Sequence, residues 1–429
     1  MPKIKDSGIE WIGEIPEDWE IKRLKAVLCE RNENNNPIKT NYILSLTNDR
    51  GVIPYDEKGD IGNKSKEDVS GYKLAYPNDI VLNSMNVVIG SVALSQYYGC
   101  VSPVYYMLFP RNSEDCVRYY NYIFQTKQFQ GKLKGYGNGI MEIRMRIQMS
   151  KLNTVELPIP DSETQSRIAE YLDDKCGKID RYIEKQQQVI EKLKAYKQAI
   201  IAEAVTKGLD PTVPMKDSGI EWIGMIPEHW KITKMKYIGR FINGYAFPSN
   251  AFVSSGIRVM KIANIQPMNI SWVEESFVNE EYNSLTDYQV EKGDVVFALT
   301  RPIINGGIKT AIADFDDFVL LNQRNAMYKG NKFLSNRWQY YSMQSSMFVQ
   351  EFEKYIDGTG QQPNISTNEI ANIFVPIPSI EEQMKITTYL DNQCQKIDST
   401  IFNKQKIIEK LTEYKKSLIY EAVTGKVEV

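Results

Sequence analysis

The sequence predicts an α/β (α+β) protein: two mixed α/β blocks joined by two long helices that form an antiparallel coiled coil. Two stretches of the chain recur, and the longer one carries a heptad pattern in both copies. Short β-rich runs lie between Gly, Pro and Asn turns in the segments that separate the repeats. The halves should therefore share one fold in a pseudo-twofold tandem repeat.

The repeats define the order of segments. Lys5–Trp19 matches Lys216–Trp230 at 13 of 15 positions, and Leu157–Thr206 matches Val375–Thr424 at 26 of 50 positions without a gap. The offset between copies is 211 at the first repeat and 218 at the second, so the second copy holds seven more residues between its repeated ends. We predict a first block at 1–156, a first spacer helix at 157–210, a second block at 211–374 and a second spacer helix at 375–429.

Each long repeat begins with Pro-Ile-Pro and should continue as a helix. Ser162 with Gln165, and Ser379 with Glu382, fit the S-x-x-E/Q capping box, so each helix should begin just after the prolines. A 4,3 spacing then predicts a coiled-coil seam. Its residues are Ile179, Ile183, Gln186, Ile190, Leu193, Lys197, Ile200 and Ala204 in the first copy and Ile397, Ile401, Lys404, Ile408, Leu411, Lys415, Leu418 and Ala422 in the second.

The seam indicates that the two helices pair with each other. Lys197 and Lys415 place a charge at the same seam position, where a polar residue lowers stability but can fix register and partner choice. The alternative is that each helix packs only on its own block. The candidates for partner contacts are Ile183, Ile190, Leu193, Lys197, Ile401, Ile408, Leu411 and Lys415.

The two blocks, about Lys25–Glu156 and Lys236–Phe374, share a local pattern but not their residues. Pro77–Val81 resembles Lys292–Val296, and a Gly-x-Gly follows later in both. The repeated parts should act as scaffold and the diverged parts as recognition surfaces. Expected strands include Tyr42–Thr47, Ile80–Leu82, Val101–Phe109, Val295–Leu299 and Phe318–Leu321, and expected helical stretches lie near Val117–Gln130 and Asn336–Tyr355.

The net charge of −2 is unusual for a nucleic-acid binder, but the charges are unevenly distributed. Residues 229–273 and 318–350 contain no acid, and 127–151 contains only Glu142 against six cations. Such basic strips, interleaved with Tyr136, Tyr245 and Tyr328, suit phosphate contact and base-edge readout. The alternative is that they are ordinary solvated faces. Their presence in both blocks favours nucleic acid.

The chain resembles the specificity subunit of a type I restriction-modification enzyme. The resemblance rests on the repeated SGIEWIGEIPEDW-type opening, the PIP start with Glu-Glu-Gln, the LDxxxxKIDxxI motif at Leu172–Ile183 and Leu390–Ile401, and the EAVT close. It implies two target recognition domains that each bind half of a split double-stranded DNA target. It also implies that the helices set the spacing and dock two methyltransferase subunits, which restriction (translocase) subunits then join.

The residue assignments are finer hypotheses. The resemblance implies a DNA-facing loop at Gly358–Asn364, and Asn83 and Asn86 after the first IVL strand correspond to Arg301 and Asn305 in the second block. Amides suit adenine and arginines suit guanine or phosphate, although a turn or cap role is the alternative for each. The candidate DNA-binding residues are Asn83, Asn86, Lys132, Lys134, Tyr136, Arg144, Arg146, Gln148, Arg301, Asn305, Arg324, Gln361, Gln362 and Asn364.

The sequence contains no motif that we recognise as a set of catalytic residues. The single histidine, His229, matches Asp18 in the other copy, and Gly62–Ser65 lacks the GK[ST] junction of a phosphate-binding loop. Five cysteines form no CxxC pair, the N-terminus lacks an apolar signal region, and no apolar run reaches 18 residues. We expect a non-catalytic, cytoplasmic, prokaryotic protein without metal or membrane contact, whose partner subunits bind S-adenosylmethionine, ATP and Mg²⁺.

Two other functions remain as alternatives. The chain could be a coiled-coil assembly scaffold whose blocks bind protein, or an enzyme with a site of unfamiliar sequence. Duplex binding that weakens steeply with salt would favour DNA recognition over the scaffold. If DNA is the ligand, two recognition blocks on a rigid spacer should bind major-groove half-sites about 34–36 Å apart. Because the blocks have diverged, the target should be bipartite and asymmetric.

Overall fold

The computed structural model describes residues 3–48, 50–59, 68–136, 146–304, 307–331, 333–358 and 362–429. The chain divides into two compact units, Met1–Gln186 with Gln405–Val429, and Gln187–Lys404. Each unit contains one block and part of both long helices, α5 (Ser162–Lys207) and α9 (Ile380–Val423). The four segment boundaries expected from the repeats stay a prediction.

The first unit contains twelve short strands and four short helices in its described part. The strands are β1 (Ile4–Asp6), β2 (Glu14–Pro16), β3 (Glu20–Arg23), β4 (Leu28–Arg31), β5 (Leu44–Thr47), β6 (Gly51–Pro54), β7 (Lys73–Ala75), β8 (Ile80–Asn83), β9 (Val92–Leu94), β10 (Gly99–Val101), β11 (Tyr105–Pro110) and β12 (Glu156–Ile159). The helices are α1 (Leu24–Val27), α2 (Val117–Gln125), α3 (Lys127–Lys134) and α4 (Met149–Leu152).

The described part of the second unit has more strands. They are β13 (Met215–Asp217), β14 (Met225–Pro227), β15 (Lys231–Lys234), β16 (Gly239–Asn243), β17 (Phe252–Val253), β18 (Ile257–Met260), β19 (Ile265–Gln266), β20 (Asn269–Ile270), β21 (Phe277–Val278), β22 (Gln289–Val290), β23 (Val295–Ala298), β24 (Ile303–Ile304), β25 (Gly307–Ile308), β26 (Thr310–Ile312), β27 (Val319–Leu321), β28 (Asn325–Gly330) and β29 (Phe374–Ile377). Its short helices are α6 (Asn336–Gln344), α7 (Ser346–Glu353) and α8 (Thr367–Ala371).

Both units are built on the same four-stranded antiparallel sheet. The strand order is β4-β11-β8-β9 in the first unit and β16-β28-β23-β26 in the second. The register also matches, because Val81 pairs with Met107 and Val296 pairs with Met327. The second unit adds a five-stranded sheet, β17-β21-β18-β27-β22. The prediction of two α/β blocks with one fold is confirmed.

The turn before the central strand explains the shared pattern of the two blocks. Asp79 and Asp294 are buried, and the carboxylate of each accepts a hydrogen bond from the backbone amide three residues earlier at 2.9 Å. Each also forms an ion pair, Asp79 with Arg31 at 2.9 Å and Asp294 with Lys329 at 3.3 Å. The similarity of Pro77–Val81 and Lys292–Val296 therefore reflects one conserved turn.

The two expected helical stretches, near Val117–Gln130 and Asn336–Tyr355, are each broken in the structure. α2 ends before Thr126 and α6 ends before Ser345, and both residues have extended backbone angles. The Thr126 and Ser345 side chains then cap α3 and α7, accepting from backbone amides at 3.3 Å. Both expected stretches are therefore helical, but each is divided into two helices by an internal N-cap that the sequence analysis did not identify.

The coiled-coil seam is confirmed by burial. All predicted seam residues are buried or half-buried, whereas residues on other faces, such as Tyr182 and Phe402, are exposed. The first unit contains the start of α5 and the end of α9, and the second unit contains the end of α5 and the start of α9, so the helices run antiparallel. The helices also pack on their blocks, as the buried residues Leu172 and Leu390 show.

The capping prediction for the first helix was wrong. The α5 cap is Asp161, whose carboxylate accepts from Thr164 N at 2.7 Å, whereas the Ser162 hydroxyl donates to Asp115. Gln165 is buried and serves the block: its Oε1 accepts from the backbone amide at the start of α2, at 3.1 Å.

In the second helix Ser379 is the cap, as expected, and accepts from Glu382 N at 3.3 Å. Glu382 does not complete the box, because its carboxylate accepts from Trp230 Nε1 at 3.0 Å. Gln383 matches Gln165, and its Oε1 accepts from Ser335 N at 2.8 Å. The glutamines of the two repeats therefore cap block helices α2 and α6 rather than their own helix.

The two aspartates of the LDxxxxKID motif have separate roles. Asp173, the first, accepts from the Tyr122 hydroxyl at 2.7 Å and pairs with Arg118, so it joins α5 to its block. Burial and the Asp173 charge both raise the pKa of Tyr122, which keeps this hydroxyl a donor. The same contacts, at 2.6 and 2.8 Å, recur in the second unit with Asp391, Tyr341 and Arg337.

The second aspartate of the motif pairs with the seam lysine of the opposite helix. Lys415 Nζ lies 2.6 Å from Asp180 in the first unit, and Lys197 Nζ lies 2.8 Å from Asp398 in the second. The lysine side chains are 28% and 12% exposed, while both aspartates are 55% exposed. The seam charges are thus neutralised at the edge of the helix pair, twice and in the same way.

Candidate nucleic-acid interface

In the first unit three segments meet beyond the end of β8. Ile147 N donates to Ser84 O at 2.9 Å, which joins the loop after β8 to the segment before α4. A Cβ at Gly90 would lie 3.3 Å from Gln130 Nε2, so α3 packs against the same loop. The fold therefore makes neighbours of three described segments that carry candidate residues of the first block.

The candidates on this surface differ in what holds them. Asn83 Oδ1 accepts from Met85 N at 3.0 Å, so Asn83 forms the turn. Asn86 is half-buried in the same loop, and Arg146 and Gln148 are exposed on the adjoining segment. Arg144 lies outside the described residues. Lys132 and Lys134 are exposed in the last turn of α3, and Lys132 Nζ lies 5.9 Å from the centre of the half-buried Tyr136 ring.

In the second unit the corresponding surface lies beyond the end of β23. Arg301 N donates to Pro363 O at 2.8 Å, and Leu299 N donates to Arg324 O at 2.9 Å. Arg301 has a positive φ of 48°, an unfavourable conformation for a non-glycine residue. Arg301, Arg324 and Asn364 are exposed, so this surface presents two guanidinium groups.

Hydrogen bonds hold the described residues around Asn364 in place. Asn364 and Asp357 exchange backbone hydrogen bonds of 2.8 and 3.1 Å, and Asn364 Nδ2 donates to Gln362 O at 2.8 Å. Gln362 is half-buried. The side chain of Asn364 therefore stabilises the loop, which is the alternative role considered for it. Asn305 and Gln361 lie outside the described residues.

Lys309 supports this surface and was missed by the sequence analysis. It is buried at 7% exposure, and its Nζ donates to Ile262 O at 2.5 Å. Burial lowers the pKa of Lys309, and the nearby charge of Arg301 lowers it further. Its backbone binds Pro302 and Ala298, so it fixes the base of the loop. Sequence carried no signal for this role, because a lysine after Gly-Gly-Ile resembles any surface loop.

The surfaces of the two units begin at equivalent strands. β8 ends at Asn83 and β23 ends at Ala298, and Asn86 and Arg301 are each the third residue after that end. The two loops also share an equivalent cross-link: Ile147 N donates to Ser84 O in the first unit, and Ile365 N donates to Leu299 O, at 3.0 Å, in the second. The third residue after the strand is therefore an asparagine with a φ of −124° in one unit and an arginine with a φ of 48° in the other, so the loops share a starting point but differ in their turns.

Part of the basic-strip interpretation is wrong. Tyr328 is fully buried and donates to Met235 O at 2.9 Å, so it is unable to contact a base. Tyr245 is half-buried among other aromatic side chains. Arg258 pairs with Asp317 at 2.9 Å, because the sheet brings an acid from distant sequence beside it. Arg324 is one described cation of the expected basic strips that is exposed at this surface.

Two negative findings apply to the described ranges. They contain no cluster of three or more His, Cys, Asp or Glu residues with the arrangement of a metal site. The helices found there are also too short or too polar to cross a membrane.

Comparison with known proteins agrees with this architecture. The family model described as "Type I restriction modification DNA specificity domain" matches residues 16–201 and again 227–413. The specificity subunit of type I restriction enzyme MjaVIII from Methanocaldococcus jannaschii is 29% identical over 423 residues, covering 97% of this chain and 94% of that protein. The specificity subunit of EcoAI from Escherichia coli is 29% identical over 240 residues, covering 55% and 39%.

Solved structures share the fold at low sequence identity. A chain from a study of complex assembly and conformational transition of the type I R-M system superimposes with a TM-score of 0.73 at 14% identity, covering 96% of this chain and 99% of that one. The HsdS subunit from Thermoanaerobacter tengcongensis gives 0.50 at 14% identity, covering 96% and 98%. Since the family model matches most of the sequence in two copies, the chain belongs to the type I restriction-modification DNA specificity family.

Proposed function

We propose that this chain is the DNA-recognition subunit of a type I restriction-modification complex and binds a bipartite, asymmetric duplex target. The observation that carries the proposal is that the equivalent central strands β8 and β23 are each followed by a loop whose third residue is Asn86 in one unit and Arg301 in the other. Asparagine pairs best with adenine and arginine with guanine. Each unit then binds one half-site, and the two half-sites differ in sequence.

The long helices join the complex. The motif contacts of α5 and α9 occur twice with equivalent residues, so the helices offer the same features at two places. Such duplication suits two copies of one partner. We assign that role to two methyltransferase subunits, with restriction (translocase) subunits joining them. Methyl transfer and DNA cleavage belong to those partners, which bind S-adenosylmethionine, ATP and Mg²⁺, and this chain contributes recognition without catalysis.

The test is to co-express the chain with its neighbouring methyltransferase gene and to map modified bases genome-wide by single-molecule sequencing. A gapped, asymmetric motif modified on both strands would support the proposal and identify both half-sites. The matched control is the methyltransferase expressed without this chain, which should leave that motif unmodified. Unmodified DNA despite an intact, folded complex would favour a protein-binding scaffold instead.

A further inference from the structure

An exposed isoleucine follows each candidate loop at the same place. Ile89 and Ile304 are each the sixth residue after the end of the central strand, β8 or β23, and three residues after Asn86 or Arg301. Their exposed fractions are 44% and 41%. Singly exposed apolar residues are common on proteins. The recurrence of one residue type at an equivalent position, in loops that otherwise differ, needs a separate explanation.

The backbone directs Ile89 outward. It ends a single turn of 3₁₀ helix, Val87–Ile89, in which Val87 and Val88 are buried in the core. The turn is closed by Ile89 N donating to Asn86 O at 3.0 Å. Because the two valines already occupy the core, Ile89 is held in solvent beside Asn86.

A different local structure gives Ile304 the same exposure. It lies in the short hairpin of β24 and β25, where Ile304 pairs with Gly307 and Ile303 pairs with the fully buried Ile308. Successive strand residues face opposite sides, so the burial of the Ile303 side turns Ile304 to solvent. Two different local structures therefore expose an isoleucine at the same number of residues after the central strand.

Base edges offer one apolar group to such a side chain. In the major groove only thymine carries a methyl group, at C5, while the other bases present donors and acceptors. The neighbouring polar residues, Asn86 and Arg301, suit those donors and acceptors. Cations lie close by, with Lys132 and Lys134 exposed at the end of α3 in the first unit and Arg324 in the second. This polar and basic setting suits contact with DNA better than contact with an apolar protein surface.

We propose that Ile89 and Ile304 are specificity-determining residues, each contacting the C5-methyl group of a thymine in one half-site. This inference rests on the proposed function and assigns a chemical partner to two residues outside its polar candidates. It implies that both half-sites contain a thymine, although their neighbouring polar contacts differ. The two half-sites then have one thymine contact in common and differ in the bases that the neighbouring polar residues contact.

The test uses the complex of this chain with its methyltransferase subunits and a duplex that carries the mapped motif. Each thymine is replaced in turn by deoxyuridine, which removes only the methyl group, and dissociation constants are measured at fixed salt. We expect one position in each half to weaken binding about fourfold, the effect of removing one methyl-sized apolar contact. In the Ile304→Ala complex the deoxyuridine effect should vanish in the second unit's half-site and persist in the other, and Ile89→Ala should do the reverse.

Matched controls are Ile38→Ala in the first unit and Val273→Ala in the second, since both residues are exposed apolar side chains outside the two loop segments, at 53% and 91% exposure. They should leave every deoxyuridine effect unchanged. Wild-type binding with no thymine sensitive to its methyl group, or a half-site without thymine, would overturn this inference alone. Failure of the wild-type complex to bind any duplex would overturn the proposed function and this inference with it.

Discussion

The helix-docking contacts and the loops after the central strands are both duplicated, but in different ways. The docking contacts repeat residue for residue: Gln165 and Gln383 accept from equivalent block helices, at 3.1 and 2.8 Å. The loops repeat only their place after the central strand, where the third residue is Asn86 in one unit and Arg301 in the other. The docking contacts use the same side chains in both units, whereas the loops share only their position after the central strand.

Burial accounts for this difference. Gln165 and Gln383 are 1% and 0% exposed, so a change at either would leave buried donors and acceptors without partners. Asn86 is half-buried and Arg301 is exposed, and water can replace the contacts of either side chain. The loops can therefore diverge without loss of the fold, which suits a protein whose two units bind different sequences.

The largest effect should come from exchanging a whole block. Replacing Lys25–Glu156 with the corresponding block of another family member should change only one half of the modified motif, because each unit holds its own recognition surface. The measurement is the motif mapped by single-molecule sequencing. The reciprocal exchange of Lys236–Phe374 is the control and should change the other half. If either exchange altered both halves, the units would not bind their half-sites independently.

Loss of a buried docking glutamine should be the next largest effect. Gln383→Ala removes three hydrogen bonds, with Ser335 N, Phe333 O and Pro378 O, whereas Gln165→Ala removes two. We expect unfolding free energies to fall by about 3 and about 2 kcal/mol, since each buried unpaired group costs about 1–3 kcal/mol.

The measurement is native-state hydrogen exchange, which follows the amides of each unit separately. Gln383→Ala should lower protection in the second unit and Gln165→Ala in the first. Asn392→Ala, at an exposed position of α9, is the matched control and should leave protection unchanged. Equal losses from both glutamine variants would show that the third hydrogen bond of Gln383 contributes little.

Sequence predicted the features that depend on periodicity. The repeats and the 4,3 spacing were enough for the fold class, the antiparallel helix pair and the buried seam, because burial along a helix follows residue spacing. The features that it missed depend on partners distant in sequence. Gln165 fits a local capping box, yet it bonds to the start of α2, 49 residues earlier. Tyr328 lies in an acid-free stretch, yet its strand turns it into the core.

The candidate site was predicted less completely than the fold. Counting residues from the end of the IVL strand in the first block, and from the matching strand in the second, was enough to align the two loops that follow. The sequence could not predict which asparagine side chains point outward. Asn83 and Asn364 form hydrogen bonds of 3.0 and 2.8 Å within turns, and the sequence does not reveal these contacts. Lys309 and Ile304 needed the hairpin of β24 and β25 before their burial and exposure were apparent.

A smaller effect, confined to one base pair, should follow from changing Arg301. Arg301→Ala should relax specificity at a single position of the second unit's half-site by about 1–3 kcal/mol, the value of one bidentate base contact. Asn86→Ala should do the same in the other half. Binding competition among duplexes that differ at one base pair measures both. A uniform loss across all sequences would instead mean that Arg301 binds phosphate.

The smallest effect should come from the seam ion pairs, where the comparison between units is strictest. Lys197–Asp398 and Lys415–Asp180 are equivalent pairs with half-exposed aspartates, so a double-mutant cycle should give a coupling energy of no more than about 1 kcal/mol in either unit. The two values should agree within about 0.5 kcal/mol, the usual error of additivity.

Replacing both lysines with leucine separates stability from specificity. The Lys197→Leu, Lys415→Leu variant should keep its helix content, because leucine suits a seam position at least as well as lysine. It should nevertheless change assembly with partner subunits, measured by size-exclusion chromatography, since a polar residue at a seam position can fix register and partner choice. Unchanged assembly would mean that these lysines are neutralised charges at the edge of the helix pair without a role in assembly. Altered assembly with unchanged circular dichroism would mean that the duplicated ion pair selects the helix register at little cost in stability.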